Sequence, residues 1–395
     1  MNTMTQKLLV SDVKPQMPTK TESSYRVVIV HPSAGVNWSG GTENFAIELT
    51  HHLSSYFEVE LLAGAPCSPF YYPAGGIPRT KARHLLGNPL VNSVFSSFST
   101  HPDMVIEHLS SFLPCAMRLL RKPADLIFPC NDYGGLAMAA FVRGLIGTPI
   151  LFKAHTGLTG GGQSLARSLR FRPNHLVVFS ERMADFVDKQ RLNQPVTIIP
   201  NGVDMNRFKP EGDHIDLGLN KPIVLCVASL NRNDHKRVEL AIQAIAKLSY
   251  GSLLICGNGP DREYFQALGE ELLGANRFAI QTFPFNQMPD VYRYGDLFTL
   301  PSIDEPFANA YLQAMSSGLG VVTTDDEIRR YMIGDAGIVC DVTDPDVYAG
   351  AIAQALTKDW ETKARQNAMR FSWNMVALRY RDLIMEMISQ SRKDS

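Results

Sequence analysis

Five short stretches carry residues whose types and spacing could hold or transform a polar ligand, and each follows an apolar run. Ser229-Leu-Asn-Arg-Asn-Asp-His-Lys-Arg237 gathers three cations and a histidine. Arginine grips a pyrophosphate in bidentate fashion and lysine acts as a point charge, so Arg232, Lys236 and Arg237 are candidates for binding a diphosphate. A solvated basic turn is the plainer use of such a cluster. Its place between a strand end and a helix start favours anion binding. Pro301-Ser-Ile-Asp-Glu-Pro-Phe-Ala-Asn309 puts Glu305 in a loop just ahead of a helix expected to begin near Phe307. The carboxylate could accept hydrogen bonds from hydroxyl groups, and the free amides of Phe307, Ala308 and Asn309 could meet a phosphate. A simple helix cap is the other use of Asp304 or Glu305.

Ser39-Gly-Gly-Thr-Glu43 is a third station. Gly40 and Gly41 would let backbone amides approach an oxyanion at the head of a helix, although a tight turn needs glycine as well. The segment is neither G-x-G-x-x-G nor a Walker A loop, which argues against nicotinamide cofactors and P-loop ATPase chemistry. In Cys256-Gly-Asn-Gly-Pro260, Gly257 reads first as a structural turn and second as a place where backbone passes close to a ligand. Lys153-Ala-His-Thr-Gly-Leu-Thr-Gly-Gly-Gly162 sets His155 at a strand end before a flexible loop. Such a histidine is more often structural than catalytic unless the strand end faces a cleft.

The elements that must position these residues follow from apolar periodicity. Residues 26–31 form a continuous apolar run suited to a strand buried on both faces. A helical stripe follows over 42–53, with Thr42 as its expected cap and Glu43 in its first turn, and then a strand at 58–62. Further short strands are expected at 125–128, 149–152, 175–179 and 196–199, with helices between; residues 64–103 resist assignment. The turn-rich Pro200-Asn-Gly-Val-Asp204 and a polar stretch reaching Asn220 break the chain. A second series has strands at 222–228, 251–256, 278–280, 297–300 and 320–323, helices at 237–248 and 309–317, and terminal helices over 361–390. The fold class is therefore α/β: two doubly wound domains, 25–205 and 206–373, with a helix at about 374–390 behind them. Such sheets bind ligands at the carboxyl ends of their strands, so the two domains are expected to face a shared cleft.

At 395 residues the chain is long enough for two domains. Lys plus Arg number 38 against 39 for Asp plus Glu, so the balance carries no signature of a nucleic-acid partner. The six cysteines are far apart, with no C-x-x-C pair, which reads as reduced thiols in the cytoplasm. Residues 1–24, rich in Pro, Ser, Thr and Lys, read as a disordered tail without the apolar run of an export signal. No segment approaches the ~20 apolar residues of a membrane span.

Taken together, the stations resemble family 4 retaining glycosyltransferases of the GT-B architecture. The markers are Gly40-Gly41-x-Glu43, His155, Ile199-Pro-Asn-Gly-Val-Asp204, Lys236, Gly257-Asn-Gly-Pro260, Leu300-Pro-Ser302, and Glu305-x-Phe307 leading to Ala314-Met315-x-x-Gly318. The resemblance covers nearly all of residues 26–390. It implies two Rossmann-like domains facing a cleft, the last helix crossing back to the first domain, a nucleoside-diphosphate sugar as co-substrate in the carboxy-terminal domain, and an acceptor in the amino-terminal one. Lys236, with Arg232 and Arg237 nearby, would neutralise the leaving diphosphate. Glu305 and the amides of Phe307, Ala308 and Asn309 would hold the donor, His155 would approach its sugar, Gly40 and Gly41 would lie against the donor phosphates or the acceptor, and Gly257 would lie close to the donor. The family's E-x7-E pair is altered here: its second position is Gln313, which can still hydrogen-bond a ribose hydroxyl through its amide oxygen. Ser229 stands where the family has arginine, and Ala308 where glycine is commoner.

The implied reaction is a same-face transfer of a sugar to a hydroxyl of a glycan, lipid or small molecule, as in polysaccharide or glycolipid biosynthesis. The leaving phosphate would help to deprotonate the acceptor. No aspartate-rich motif stands out, so turnover is expected without a metal or other cofactor. The neutral Gln313 and Ser229 keep a second reading open, a catalytically weak nucleotide-sugar-binding partner, and a GT-B-shaped epimerase or phosphorylase is a third. Arg79, Lys81, Arg83 and His84, with Arg167, Arg170 and Arg172, could also form basic patches for peripheral contact with the inner membrane face; a solvated surface is the other use of these residues.

Overall fold

The computed structural model describes residues 25–36, 41–96, 102–131 and 134–393. Gly40 and the tail over 1–24 therefore lie outside the described residues. The first half runs β1 (Arg26–His31), α1 (Gly41–Leu53), β2 (Glu58–Ala63), β3 (Tyr71–Pro73), α2 (Arg79–Leu85), α3 (Pro89–Ser96), α4 (Pro102–Arg121), β4 (Leu126–Pro129), α5 (Gly134–Ile146), β5 (Leu151–Lys153), α6 (Gln163–Leu169), β6 (His175–Val178), α7 (Glu181–Lys189) and β7 (Val196–Ile198). The second half runs β8 (Ile223–Val227), α8 (Val238–Ala246), β9 (Ser252–Cys256), α9 (Arg262–Leu273), β10 (Phe278–Gln281), α10 (Met288–Tyr294), β11 (Leu297–Leu300), α11 (Asn309–Ser316), β12 (Gly320–Thr324), α12 (Glu327–Ile333), β13 (Gly337–Cys340), α13 (Pro345–Leu356) and α14 (Glu361–Met369). A last helix, α15 (Trp373–Lys393), packs against α1 of the first half.

Every paired strand is parallel, which requires a crossover between partners and explains the strict alternation. In the first half the order is β3-β2-β1-β4, and a bridge between Ile127 and Ile150 joins this sheet to β5-β6-β7. In the second half it is β10-β9-β8-β11-β12-β13. Wholly buried runs such as Val27-Val-Ile-Val30 and Leu253-Leu-Ile255 fill the middle of each sheet, where helices cover both faces. The order reverses beside β1 and beside β8. At such switch points neighbouring strands send their loops to opposite faces and leave a crevice at their carboxyl ends. The loops after β8 and β11, which hold Lys236 and Glu305, open from this point in the second half.

Several local expectations are corrected. The unassigned region 64–103 contains β3, α2, α3 and the start of α4. Thr42 does not cap α1: Gly41 is already helical, and the Thr42 hydroxyl donates to Glu43 (3.0 Å). The helix expected near Phe307 starts at Asn309, because Ala308 keeps an extended backbone (φ −75°, ψ 123°). β13, not anticipated from sequence, is a half-buried edge strand of four residues.

Candidate active site

The loops after β8 and β11 meet. Lys236 Nζ donates to Glu305 Oε2, and His235 Nε2 lies 3.0 Å from the same oxygen. On its other side the His235 ring pairs with Asp234, whose carboxylate also accepts from Ser229 Oγ (2.6 Å). Asp234, His235, Glu305 and Lys236 thus form one chain of polar contacts linking the two loops. Burial by itself would raise the Glu305 carboxyl. The hydrogen bond from His235 and the Lys236 ammonium outweigh that and hold it at about 2. Sequence reasoning placed Lys236 and Glu305 here but counted His235 only as a member of a basic cluster.

The backbone that carries Glu305 is itself gripped from below. Arg329 of α12 is buried, and its guanidinium donates to the carbonyls of Glu305 (2.8 Å) and Ser302 (3.3 Å) while pairing with Asp326. Ile303 N–H donates to the His235 carbonyl (2.8 Å), stitching the two loops together. Arg329 was missed from sequence because it lies 24 residues beyond Glu305 and reaches the loop only through the fold.

Two helix N-termini converge on the crevice. No side chain caps α11, and a Cβ built on Gly41, the first residue of α1, would lie 3.8 Å from Asn309 Nδ2. The uncapped amides of α11 and the aligned dipoles of both helices favour an anion between the lobes. Asn201, in the chain crossing, donates to the Phe307 carbonyl (3.3 Å) and to Asn309 Oδ1 (2.9 Å). Phe307 stacks on Phe179 of the first half at 5.5 Å between ring centres.

His155 stands two residues beyond β5, its ring edge-on to Phe45 (4.9 Å) and near Phe179 (6.1 Å). Its Nε2 is covered and has no protein partner. Burial, reinforced by Lys153 and His31, pushes its pKa well below 6.5, so it is a neutral imidazole at pH 7. In the following loop a Cβ on Gly157 would sit 2.7 Å from Pro306 Cβ, so this loop abuts the residue next to Glu305.

Other candidates are placed differently. Arg237 turns inward: its Nε donates to the Pro301 carbonyl (2.8 Å) and its Nη2 to Thr324 Oγ1 (3.1 Å), tying the ends of β11 and β12. Arg232 is exposed and lies over the Tyr264 ring at 3.8 Å. Gly257 meets a packing need, since a Cβ there would fall 1.8 Å from the Ala228 carbonyl oxygen. Gln313 borders the crevice with Asn309, and its amide oxygen already accepts from Tyr292 OH (3.0 Å), which leaves its NH2 as the readier group for a ligand. Arg79 is no surface cation: it turns inward to Glu107 (3.2 Å) and Ser33 (3.0 Å). Among the described residues no cluster of three or more His, Cys, Asp or Glu is arranged to hold a metal ion.

Comparison with known proteins assigns both halves. Residues 39–207 match the family model described as Glycosyltransferase Family 4, and residues 213–371 match Glycosyl transferases group 1. The D-inositol 3-phosphate glycosyltransferase of Corynebacterium jeikeium is 25% identical over 280 residues, 60% of this chain and 66% of that protein. The O-antigen chain mannosyltransferase B of Escherichia coli is 34% identical over 95 residues, 23% of this chain and 25% of its own length. Across five D-inositol 3-phosphate glycosyltransferases, the chain spans 49% to 66% of the relatives' length. Among solved structures, sucrose-phosphate synthase from Thermosynechococcus elongatus superposes with a TM-score of 0.73 at 18% identity, over 93% of this chain and 100% of that one. Anabaena HepE in complex with UDP and glucose gives 0.65 at 16%, over 92% and 100%. With both lobes matched and the strand-end loops arranged as above, the chain belongs to glycosyltransferase family 4 and has the GT-B architecture.

Proposed function

We propose that this protein transfers a sugar, with retention, from a nucleoside-diphosphate sugar to a hydroxyl of a glycan, lipid or small molecule. The observation that carries the reading is the Lys236–Glu305 pair at the switch point of the second sheet, beside the open N-terminus of α11 and opposite His155. The names of relatives that act on an inositol phosphate or an O-antigen chain, and of a neighbour that holds UDP and glucose, agree with it.

Breaking the anomeric bond makes the sugar oxocarbenium-like and leaves negative charge on the diphosphate. Lys236 swings from Glu305 to that charge, and the free amides of α11 face it; fixed donors of this kind can each contribute ~3 kcal/mol to a transition state. Glu305, ionised at neutral pH, accepts from donor-sugar hydroxyls. Neutral His155 offers its unpartnered Nε2 to another sugar hydroxyl rather than a proton. Glu305 is engaged by Lys236 and His235, and Asp234 by Ser229 and His235, so neither carboxylate is a free nucleophile for double displacement. The leaving phosphate then takes the acceptor's proton on the same face. We assign no metal or cofactor to this chemistry, and unchanged turnover in EDTA is the expected result.

A thermal-shift screen of UDP-, GDP- and ADP-sugars comes first, since a ligand of the folded state raises its stability with occupancy. Transfer or donor hydrolysis should disappear in Lys236→Ala and Glu305→Ala; wild-type rates in both reject the reading. The second reading, a nucleotide-sugar-binding partner with weak catalysis, is favoured by Gln313, whose amide oxygen is already occupied by Tyr292. Donor binding without turnover across a broad acceptor panel would select it.

We also infer a cytoplasmic protein that touches the inner membrane face through α2 to α5. Apart from the inward Arg79 and the buried Lys153, residues 79–172 hold nine Lys and Arg against four Asp and Glu in a chain of net charge −1. No residue of α3 is buried, and Leu90 is 79% exposed. Leu109 and Leu113 of α4 and Phe141 and Leu145 of α5 add an apolar stripe among these cations. Among the described residues no helix is long and apolar enough to cross a membrane. Flotation with vesicles containing about one-third anionic lipid should carry the protein upward at low salt, and a protein left wholly in solution refutes the contact.

A further inference from the structure

The mechanism leaves one buried lysine unused. Lys153, the last residue of β5, is wholly inaccessible to solvent. Its ammonium lies among three rings, 4.6 Å from the centre of Phe45, 4.5 Å from Phe179 and 5.6 Å from Tyr380. Among the described residues no carboxylate pairs with it. Burial there pushes its pKa well below 10.5, a cost to the charged form that ring faces only partly offset, and a methionine would fill the same volume without that cost. What a lysine adds is hydrogen-bond donors, and both recorded bonds go to one place: the carbonyls of Ile199 (3.1 Å) and Pro200 (3.2 Å).

Those carbonyls open the first chain crossing between the lobes. The preceding one, on Ile198, accepts from Arg379 of α15 (2.6 Å), so three successive carbonyls are held by two basic side chains. The next residue, Asn201, bonds to Phe307 and Asn309 at the head of α11. Val203 then pairs through its backbone with Phe371 and Trp373, where the chain crosses back. At Gly202 a Cβ would stand 2.3 Å from the Trp373 ring, so the crossing lies flat on that indole. A continuous path therefore runs from β5 through Lys153, the Ile199–Pro200 carbonyls and Asn201 to the loop of Glu305. His155 stands two residues beyond its start.

Resting on the function proposed above, we propose that Lys153 is a positioning residue: by pinning the crossing at Ile199 and Pro200 it sets the distance between His155 on one lobe and Lys236 with Glu305 on the other. It touches neither donor nor acceptor. Its loss leaves each half-site intact and lets their separation drift, and displacements of about 1 Å between reacting groups can cost ~100-fold in rate.

The test is a double-mutant cycle of Lys153→Met and Asn201→Ala in the full chain, read by kcat, donor KM and the Kd of the nucleoside diphosphate that stabilises the wild type. Each single variant should keep that Kd within about twofold and lose about tenfold in transfer kcat, with a larger share of donor lost to water. Because both residues act on one path, the double variant should be little slower than the slower single, whereas independent structural defects would multiply. A Lys153→Met enzyme with wild-type kcat, or losses that multiply, overturns the proposal. If Lys153→Met does not fold, Asn201→Ala carries the test alone, and wild-type kcat in that variant is equally fatal. A wild type that neither binds a nucleoside diphosphate nor transfers sugar removes the donor reading itself; a wild type that does both, beside variants that match it, removes this inference only.

Discussion

Replacing Glu305 by glutamine removes one negative charge while keeping the side chain's length and one hydrogen-bonding oxygen. The carboxyl is held at about 2 against an ordinary 4.5, which corresponds to about 3 kcal/mol favouring the ionised form in the folded chain. Glutamine keeps part of the contact to His235, roughly 1 kcal/mol, so the variant should be less stable by about 2 kcal/mol at pH 7. The sign with pH follows from the depressed value: the carboxylate's contribution is present above about 4.5 and fades as pH falls towards 2, so wild type and variant should converge in acid. The nucleotide responds in the opposite sense. Glu305 competes with a diphosphate for Lys236 and repels it; two charges ~6 Å apart at an effective dielectric of ~20 interact by about 3 kcal/mol, less once solvent and counter-ions screen them. Glu305→Gln should therefore bind free nucleoside diphosphate as tightly as wild type or several-fold more tightly, while transfer falls by about 100-fold because the sugar has lost its anionic partner. Calorimetry with UDP, GDP and ADP beside a transfer assay reads both effects. A variant that binds nucleotide tenfold more weakly and still transfers normally would show that Lys236 does not face the phosphates.

Arg329→Met should be among the most damaging changes away from ligand, because it frees two loop carbonyls and leaves Asp326 unpaired; a loss of about 3 kcal/mol in denaturant unfolding is expected. Gly257→Ala drives a methyl into the Ala228 carbonyl, and a melting point unchanged from wild type would contradict the packing described. Burial pushes the thiols of Cys67 and Cys340 up to about 11 and that of Cys115 to about 12, so alkylation at pH 7.5 should leave activity intact; mass spectrometry should find Cys67 and Cys340, the half-buried pair, modified before Cys115.

How much of this was legible depended on how local the determinant was. Parallel strands buried on both faces announce themselves as apolar runs, and those at 26–31, 58–62, 251–256 and 297–300 were found to within two residues. β3 was missed because an edge strand of three largely exposed residues, Tyr71-Tyr-Pro73, lacks such a run, and β13 because its apolar run, Ile338-Val-Cys340, is only three residues long. The meeting of Lys236 and Glu305 was readable because both stand in loops that directly follow buried parallel strands. The setting of Arg237, one position further on, was not readable: its left-handed backbone (φ 51°) and inward guanidinium depend on Pro301 and Thr324, far away in sequence. Lys153 drew no attention for the same reason, since its ring contacts come from α1, the end of β6 and α15.

The return of α15 to the first half has a consequence for biogenesis. Trp373, Val376, Tyr380, Ile384 and Ile388 fill a core whose other walls are Val27, Ile29, Phe45, Leu126 and Phe128. A nascent chain has exposed the latter group long before the former emerges from the ribosome, so the lobe synthesised first is sealed last. Until then its apolar floor is open to chaperones. A premature stop near residue 370 would spare the second sheet yet leave the opposite lobe unable to mature.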